Sequence, residues 1–302
     1  MGLGDGSGAA NGRDWCAAEK FRDDDGEMVS YSEKYGALLR GISDEADAMS
    51  LECFRNSSLR VERKMDGTAL TQADGAIEKM ARKRVAESGL ELDVYGEEQG
   101  TGGAKSDASG ASGKADATFD RGNPGRARLI IDPIDGTEEF SRGIPTFGTL
   151  LGIELNGEIV AGMCSAPALG TRWWAYRGEG AFRNGEKIRV SGTPRLNEAM
   201  VFTTGTGPSK NAEDRARIRR LLDASRNSRS LGGFWQHMLV AEGAIDAALD
   251  WTSKPWDLAP LGIIVEEAGG KSTNIEGERT IYTGDYLSTN GVIHEEAMRL
   301  LR

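Results

Sequence analysis

The run Leu129-Ile-Ile-Asp-Pro-Ile-Asp-Gly-Thr137 sets two carboxylates, Asp132 and Asp135, on either side of the Pro133-Ile134 step at the end of an apolar stretch. Proline fixes its own φ, so the turn is stiff and holds the pair a few ångströms apart. At about 4 Å and an effective dielectric of about 20, two such charges repel by roughly 4 kcal/mol, which a divalent cation reverses. A lone Asp-x-x-Asp reads more simply as helix capping, and two further features tip the balance. Gly136-Thr137 follows at once, a helix start whose free backbone N–H groups can hold a phosphate. Gly96-Glu97-Glu98 closes a second expected strand, Leu92 to Tyr95, and offers a hard oxygen ligand of the kind Mg²⁺ takes. Taken alone, those glutamates read as solvated surface groups.

The elements that must position these residues follow from hydrophobic period. Residues 1–28 are rich in Gly, Asp and Ala with almost no apolar periodicity, and are expected to be a disordered arm. From Ser30, the recurrence of Tyr35, Leu38, Leu39, Ile42, Ala46, Met49 and Cys53 predicts an amphipathic helix. A short strand is expected around Leu59 and Val61. Asp74 then stands as the N-cap of a second helix bearing Ile77, Met80, Ala81 and Val85. The tract from about Gly100 to Arg126 is low in complexity and reads as a mobile insertion. Asn156-Gly157 and Asn184-Gly185 predict hairpin turns between β-rich runs at Thr149 to Leu155, Ile159 to Cys164 and Arg172 to Tyr176.

Beyond about Val190 strands and helices alternate: Met200 to Thr204, Glu213 to Ser225, Gly233 to Glu242, Ile245 to Asp250, then a helix from Trp256 to Ala268 stopped by Gly269-Gly270. The expected organisation is the arm 1–28, an α+β subdomain over 29–189 that carries the insertion, and an α/β subdomain over 190–302 that completes the site.

Thirty-seven basic against 47 acidic residues leave 37 − 47 = −10, which argues against a nucleic-acid binder with a broad positive surface. An acidic enzyme can still act on an anion through cations. No apolar run approaches the length of a membrane span. Cys16, Cys53 and Cys164 have no metal-type spacing, and the first residues lack the basic and apolar regions of a secretory signal, so the cytoplasm is the expected address. Cys16 and Arg22 share the bare spacing of thiol phosphatases without the glycines of a phosphate loop. Gly205-Thr-Gly-Pro-Ser-Lys210 lacks the Gly-Lys-Ser/Thr order of a nucleotide loop. His237 and His294 stand apart, and Trp173-Trp174 reads as core and turn packing.

Asp132-Pro-Ile-Asp-Gly-Thr137, with Gly96-Glu-Glu98 before it and Trp256-Asp-Leu-Ala259 after it, resembles the inositol monophosphatase family. Lys64-x-Asp66, Thr71-x-x-Asp74, Gly178-x-Gly-Ala-Phe182 and Glu267-Ala-Gly-Gly270 extend the resemblance from about residue 30 to the end. It implies a layered αβαβα sandwich of the sugar-phosphatase type, within the α+β and α/β classes, and a phosphomonoesterase requiring two or three Mg²⁺. By position, Glu97, Asp132 and the carbonyl of Ile134 hold one cation, and Asp132, Asp135 and Asp257 a second. A third, weaker one lies near Glu97. Asp74 and Thr137 match residues that orient the attacking water, and the backbone of Gly136 and Thr137 matches a phosphate cradle. The implied chemistry is direct in-line attack by water, without a phosphoenzyme. The resemblance also implies inhibition by Li⁺ and a homodimer. Two departures stand out: Glu139 where the family has Asn, and the long tract after Glu98.

Ser165-Ala-Pro-Ala-Leu169, Arg172-Trp-Trp-Ala-Tyr176 and Leu239-Val-Ala-Glu-Gly-Ala244 look like the histidinol-phosphate phosphatase branch more than the inositol one. Against this, Gly232-Gly233 stands where that branch commonly has Gly-Asp. Asp250, seven residues before Asp257, matches the position that contacts the alcohol portion of the substrate. A carboxylate there suits an ammonium or a set of hydroxyls equally. Inositol monophosphate is the second substrate in line, followed by nucleotide bisphosphates and fructose bisphosphate. A non-enzymatic scaffold is the reading of another class, and the full set of side-chain ligands speaks against it.

Overall fold

The structure, a computed structural model, describes residues 20–22, 27–56, 61–63, 69–102, 126–204 and 211–302. Strands β1 (Lys20–Arg22) and β2 (Met28–Ser30) pair antiparallel, and Phe21 stacks on Tyr31 at 4.5 Å between ring centroids. This departs from the expectation of a wholly disordered arm at residues 20–22 and 27–28, where the Phe21–Tyr31 stack holds the strand pair against α1. Residues 1–19 lie outside the described residues.

Helix α1 (Tyr31–Cys53) starts with a capping box: the Ser30 hydroxyl accepts the N–H of Glu33, whose carboxylate accepts the N–H of Ser30 at 2.7 Å. Its expected apolar face, Tyr35, Leu39, Ile42 and Ala46, is buried. Strands β3 (Val61–Arg63) and β4 (Ala69–Thr71) form a small antiparallel pair, and Leu59, Lys64 and Asp66 lie outside the described residues. Helix α2 (Gln72–Glu87) is capped by Thr71, with Asp74 at the third helical position reaching back to the Thr71 N–H. Asp74 is therefore not the N-cap expected from sequence, because the box places its acid three residues inside.

Next come β5 (Leu92–Gly96), β6 (Gly100–Gly102), β7 (Ala127–Asp135), the short helix α3 (Thr137–Ser141), β8 (Gly148–Leu155) and β9 (Glu158–Ala166). Strands β10 (Thr171–Tyr176), β11 (Gly180–Arg183) and β12 (Glu186–Lys187) complete a sheet ordered β12-β11-β10-β9-β8-β7-β5-β6. Only β5 and β7 run parallel. The insertion thus begins as an edge strand, and residues 103–125 lie outside the described residues.

The remaining strands and α-helices are β13 (Met200–Thr203), α4 (Ala212–Ala224), β14 (Asn227–Ser230), α5 (Gly233–Ala241), β15 (Ala247–Trp251), α6 (Pro255–Glu267), β16 (Lys271–Thr273), β17 (Asp285–Thr289) and α7 (His294–Leu301). Their sheet is ordered β14-β13-β15-β17-β16, with β14, β13 and β15 parallel.

Alternation along β7 shows how the layers stack. Leu129 and Ile131 pack into a core with α1 and α2, whereas Ile130 faces the opposite way, into a core built from α5 and α6. Ala248 of β15 and Tyr286 of β17 close that second core from the other sheet. Ile218 of α4 and Met298 of α7 cover the far face. The result is an αβαβα sandwich. Among the described residues no helix is long and apolar enough to cross a membrane.

Candidate active site

In a regular strand residues three apart face opposite sides, yet Asp132 and Asp135 meet. Asp132 pairs with Leu150 and Asp135 with Gly148, so β7 carries one residue more than β8 over this stretch. That bulge turns both carboxylates toward α6. There Asp257, at the third position of α6, accepts the Lys254 N–H at 2.7 Å and completes the group. Asp132, Asp135 and Asp257 each offer an oxygen, and these oxygens lie within 4.8 Å of one another.

Asp132 is 2% exposed, and its Oδ1 is buried with no hydrogen-bond partner. Asp135 accepts the N–H of Phe234, in the first turn of α5, at 2.9 Å. Burial, then repulsion from Glu97, Asp135 and Asp257, holds the Asp132 carboxyl well above the usual range. Burial, then Asp135, does the same to Asp257. Burial pushes Asp135 up to about 7, against the downward pull of the Phe234 N–H. A partnerless buried oxygen among like charges is costly unless a cation satisfies it, and three hard carboxylates suit Mg²⁺.

These shifts give a stability prediction. A carboxyl raised above its unfolded value binds its proton more tightly in the folded state, so its contribution is present at acid pH and lost as pH rises through the folded value. For Asp135 that window runs from about 4, the free-Asp value, to about 7. The melting temperature of the cation-free protein is expected to fall from pH 5 to pH 8 by at least a few degrees, about 1 kcal/mol or more for a chain of this size. Added Mg²⁺ should raise it more at pH 8 than at pH 5. A flat calorimetric profile without cation would contradict the shared burial of these acids.

Glu97 follows β5 and donates its N–H to the carbonyl of Ile131 at 3.3 Å. It stands outside the trio of close oxygens but near enough to raise Asp132 and Asp74. Asp74 Oδ2 accepts the Thr71 N–H at 2.8 Å and the Thr71 hydroxyl at 2.6 Å, which leaves Oδ1 facing Thr137 Oγ1 at 3.4 Å. That hydroxyl donates to the carbonyl of Ile134 at 2.9 Å. Burial raises the Asp74 carboxyl above its ordinary value. Gly136 bridges β7 and α3 at φ +80°, and a Cβ there would lie 2.8 Å from the Thr146 carbonyl oxygen, so only glycine fits.

Asp250 sits apart in character. It is 3% exposed, accepts from the side chains of Thr204 and Gln236, and places Oδ2 3.2 Å from His237 Nε2. His237 is itself buried, with Nδ1 2.8 Å from the Ser288 hydroxyl. The residue expected to meet the alcohol portion of a substrate is thus held by protein partners, while its charge still reaches Asp135 and Asp257. Sequence reasoning missed Thr204, Gln236 and the Phe234 N–H, which come together only through tertiary packing. His294 is structural: both ring nitrogens lie 3.0 Å from threonine hydroxyls, those of Thr273 and Thr289. A cavity of about 110 Å³ at Glu154, Glu266, Arg279 and Tyr282 includes none of the clustered acids.

The histidinol-phosphatase of Streptomyces coelicolor is 33% identical over 277 residues, 87% of this chain and 95% of that protein. The extragenic suppressor protein suhB from Bartonella henselae superposes with a TM-score of 0.77 at 25% identity, covering 88% of this chain and 98% of its own. An IMPase/NADP phosphatase solved with Mg²⁺ and phosphate shares the fold at a TM-score of 0.71 and 22% identity, over 89% and 95% of the two chains. The inositol monophosphatase family model matches residues 38–302, and the chain belongs to that family.

Proposed function

We propose that the protein is a Mg²⁺-dependent phosphomonoesterase whose preferred substrate is L-histidinol phosphate, released as L-histidinol and phosphate. The carrying observation is the carboxylate trio around the buried Asp132, with its unsatisfied oxygen, set beside the Asp74–Thr137 pair. Glu97, Asp132 and the carbonyl of Ile134 would hold one cation, and Asp132, Asp135 and Asp257 another. Bound there, the cations supply Lewis-acid stabilisation of charge on the phosphoryl group, the nucleophile and the leaving oxygen. The backbone at Gly136 and Thr137 receives the phosphate oxygens. Asp74 and Thr137 orient the attacking water and take its proton.

The substrate reading is supported by the similarity to the S. coelicolor histidinol-phosphatase. Groups that bind phosphate treat every monoester alike, so selectivity comes from what meets the alcohol. In this proposal Asp250 supplies negative charge behind the start of α5 and favours a cationic alcohol portion. L-histidinol phosphate is expected to show a higher kcat/KM than myo-inositol 1-phosphate. Asp250→Asn should lower the first by roughly ten- to a hundredfold and an aryl phosphate much less. Faster hydrolysis of the inositol ester would overturn the substrate reading, and equal losses on every ester would leave Asp250 a purely structural residue.

A further inference from the structure

We propose that Glu78 and Arg82 of α2 are positioning residues that pin the turn carrying Glu97, so that this carboxylate is ordered beside Asp132 before any cation arrives. The inference rests on the metal reading above and adds to it residues that touch neither cation nor substrate.

Glu78 is 0% exposed. Its Oε2 accepts the N–H of Glu98 at 2.7 Å and its Oε1 the N–H of Gln99 at 3.2 Å. Arg82, one helical turn on, donates to Oε1 from Nε at 3.0 Å and from Nη2 at 2.6 Å, and Nη2 also donates to the Gly100 carbonyl at 2.8 Å. The Glu97 N–H meanwhile bonds to β7 through Ile131. Three successive amides, of Glu97, Glu98 and Gln99, are therefore fixed from two sides.

A buried Glu–Arg pair four residues apart would by itself be an ordinary helix ion pair. What exceeds that role is the direction of the carboxylate: it leaves the helix surface to accept two backbone donors of a turn twenty residues on. Gly96 records the same demand. A Cβ there would fall 2.4 Å from the Glu78 carboxyl carbon, so the residue before Glu97 must be glycine for the clamp to close. A ligand already held in place surrenders little freedom when a cation binds, whereas one on a loose turn surrenders much. The clamp also anchors both ends of the turn, through the Glu98 N–H and the Gly100 carbonyl.

The test is Glu78→Gln, which keeps the shape but turns one acceptor into a donor facing a donor. In the cation-free protein, hydrogen exchange at the Glu98 and Gln99 amides should quicken at least tenfold. Calorimetric Mg²⁺ affinity should weaken by about ten- to a hundredfold, as when groups supporting a ligand are lost. In a Glu97→Gln background the same change should weaken binding no further, because it acts through Glu97. If near-ultraviolet circular dichroism shows that Glu78→Gln does not fold, Glu78→Asp keeps the charge on Arg82 but is too short to span both amides, and the same results are expected. Unchanged amide exchange, or a loss that adds in full to that of Glu97→Gln, would overturn the proposal. Wild-type protein that binds no Mg²⁺ would instead overturn the metal reading, and the exchange measurement would still decide the clamp.

Discussion

Asparagine at Asp132 or at Asp257 is expected to remove nearly all Mg²⁺-dependent phosphatase turnover, at least about a thousandfold, or about 4 kcal/mol of transition-state stabilisation. Asn keeps the size of Asp and one carbonyl oxygen, so the fold has little reason to fail. What it loses is the charge, and charge is what three carboxylate oxygens within 4.8 Å of one another are arranged to concentrate. The same substitutions should make the cation-free protein more resistant to heat, because repulsion and burial of a carboxylate are relieved together. The two effects have opposite signs, which separates a functional role from damage to folding. Near-normal turnover of either variant at saturating Mg²⁺, in protein free of wild type, would show that the trio is not the cation site. A lowered melting temperature in the cation-free state would show that these acids stabilise the fold by some contact other than the one described.

Much of this arrangement was legible because it rests on period and on local chemistry. Helix α1 was readable from Tyr35, Leu39, Ile42 and Ala46, since a long amphipathic face repeats often enough to rise above accident. The Asn156-Gly157 and Asn184-Gly185 turns were readable because both positions of each need positive φ, which they adopt. Strand β14, Asn-Ser-Arg-Ser, was not: it is polar and lies at a sheet edge, where pairing is set by its neighbour β13 and not by its own side chains. The short α7 has no side-chain cap to announce it. At the site, the Asp132–Asp135 pair was visible in the sequence but the bulge that lets both face α6 was not, because register depends on β8. Asp74 stands at the helix end that the sequence predicts but at the third helical position and not at the cap, since Thr71 and Asp74 are both good capping residues and only geometry orders them. Asp257 entered by resemblance alone, and its place 125 residues downstream of Asp132 shows why spacing could not have supplied it. The partners of Asp250 come from two places distant in sequence, Thr204 just after β13 and the adjacent Gln236 and His237 of α5, and carried no sequence signal at all.

Thr137→Val and Asp74→Asn are each expected to lower kcat by roughly a hundred- to ten-thousandfold while leaving calorimetric Mg²⁺ affinity near that of wild type. Thr137 Oγ1 has one proton and two lone pairs. With the proton directed at Ile134 or at Asp74 Oδ1, the lone pairs are available to accept from a water beside the carboxylate trio. Asp74 is suited to be the final acceptor: Thr71 holds its Oδ2 by two hydrogen bonds, which fixes Oδ1 toward Thr137, and burial makes the carboxylate a stronger base than an exposed one. A relay of this kind behaves as a unit, so the double variant should be little worse than the more damaged single one. Thr137→Ser, which restores the hydroxyl without the methyl group, should recover most of the activity. If Thr137→Val turned over at a normal rate, the hydroxyl would have no part in proton transfer. If both single variants instead lost Mg²⁺ binding in proportion to activity, Asp74 and Thr137 would belong to the support of the cation site and the water would have to be oriented by other groups.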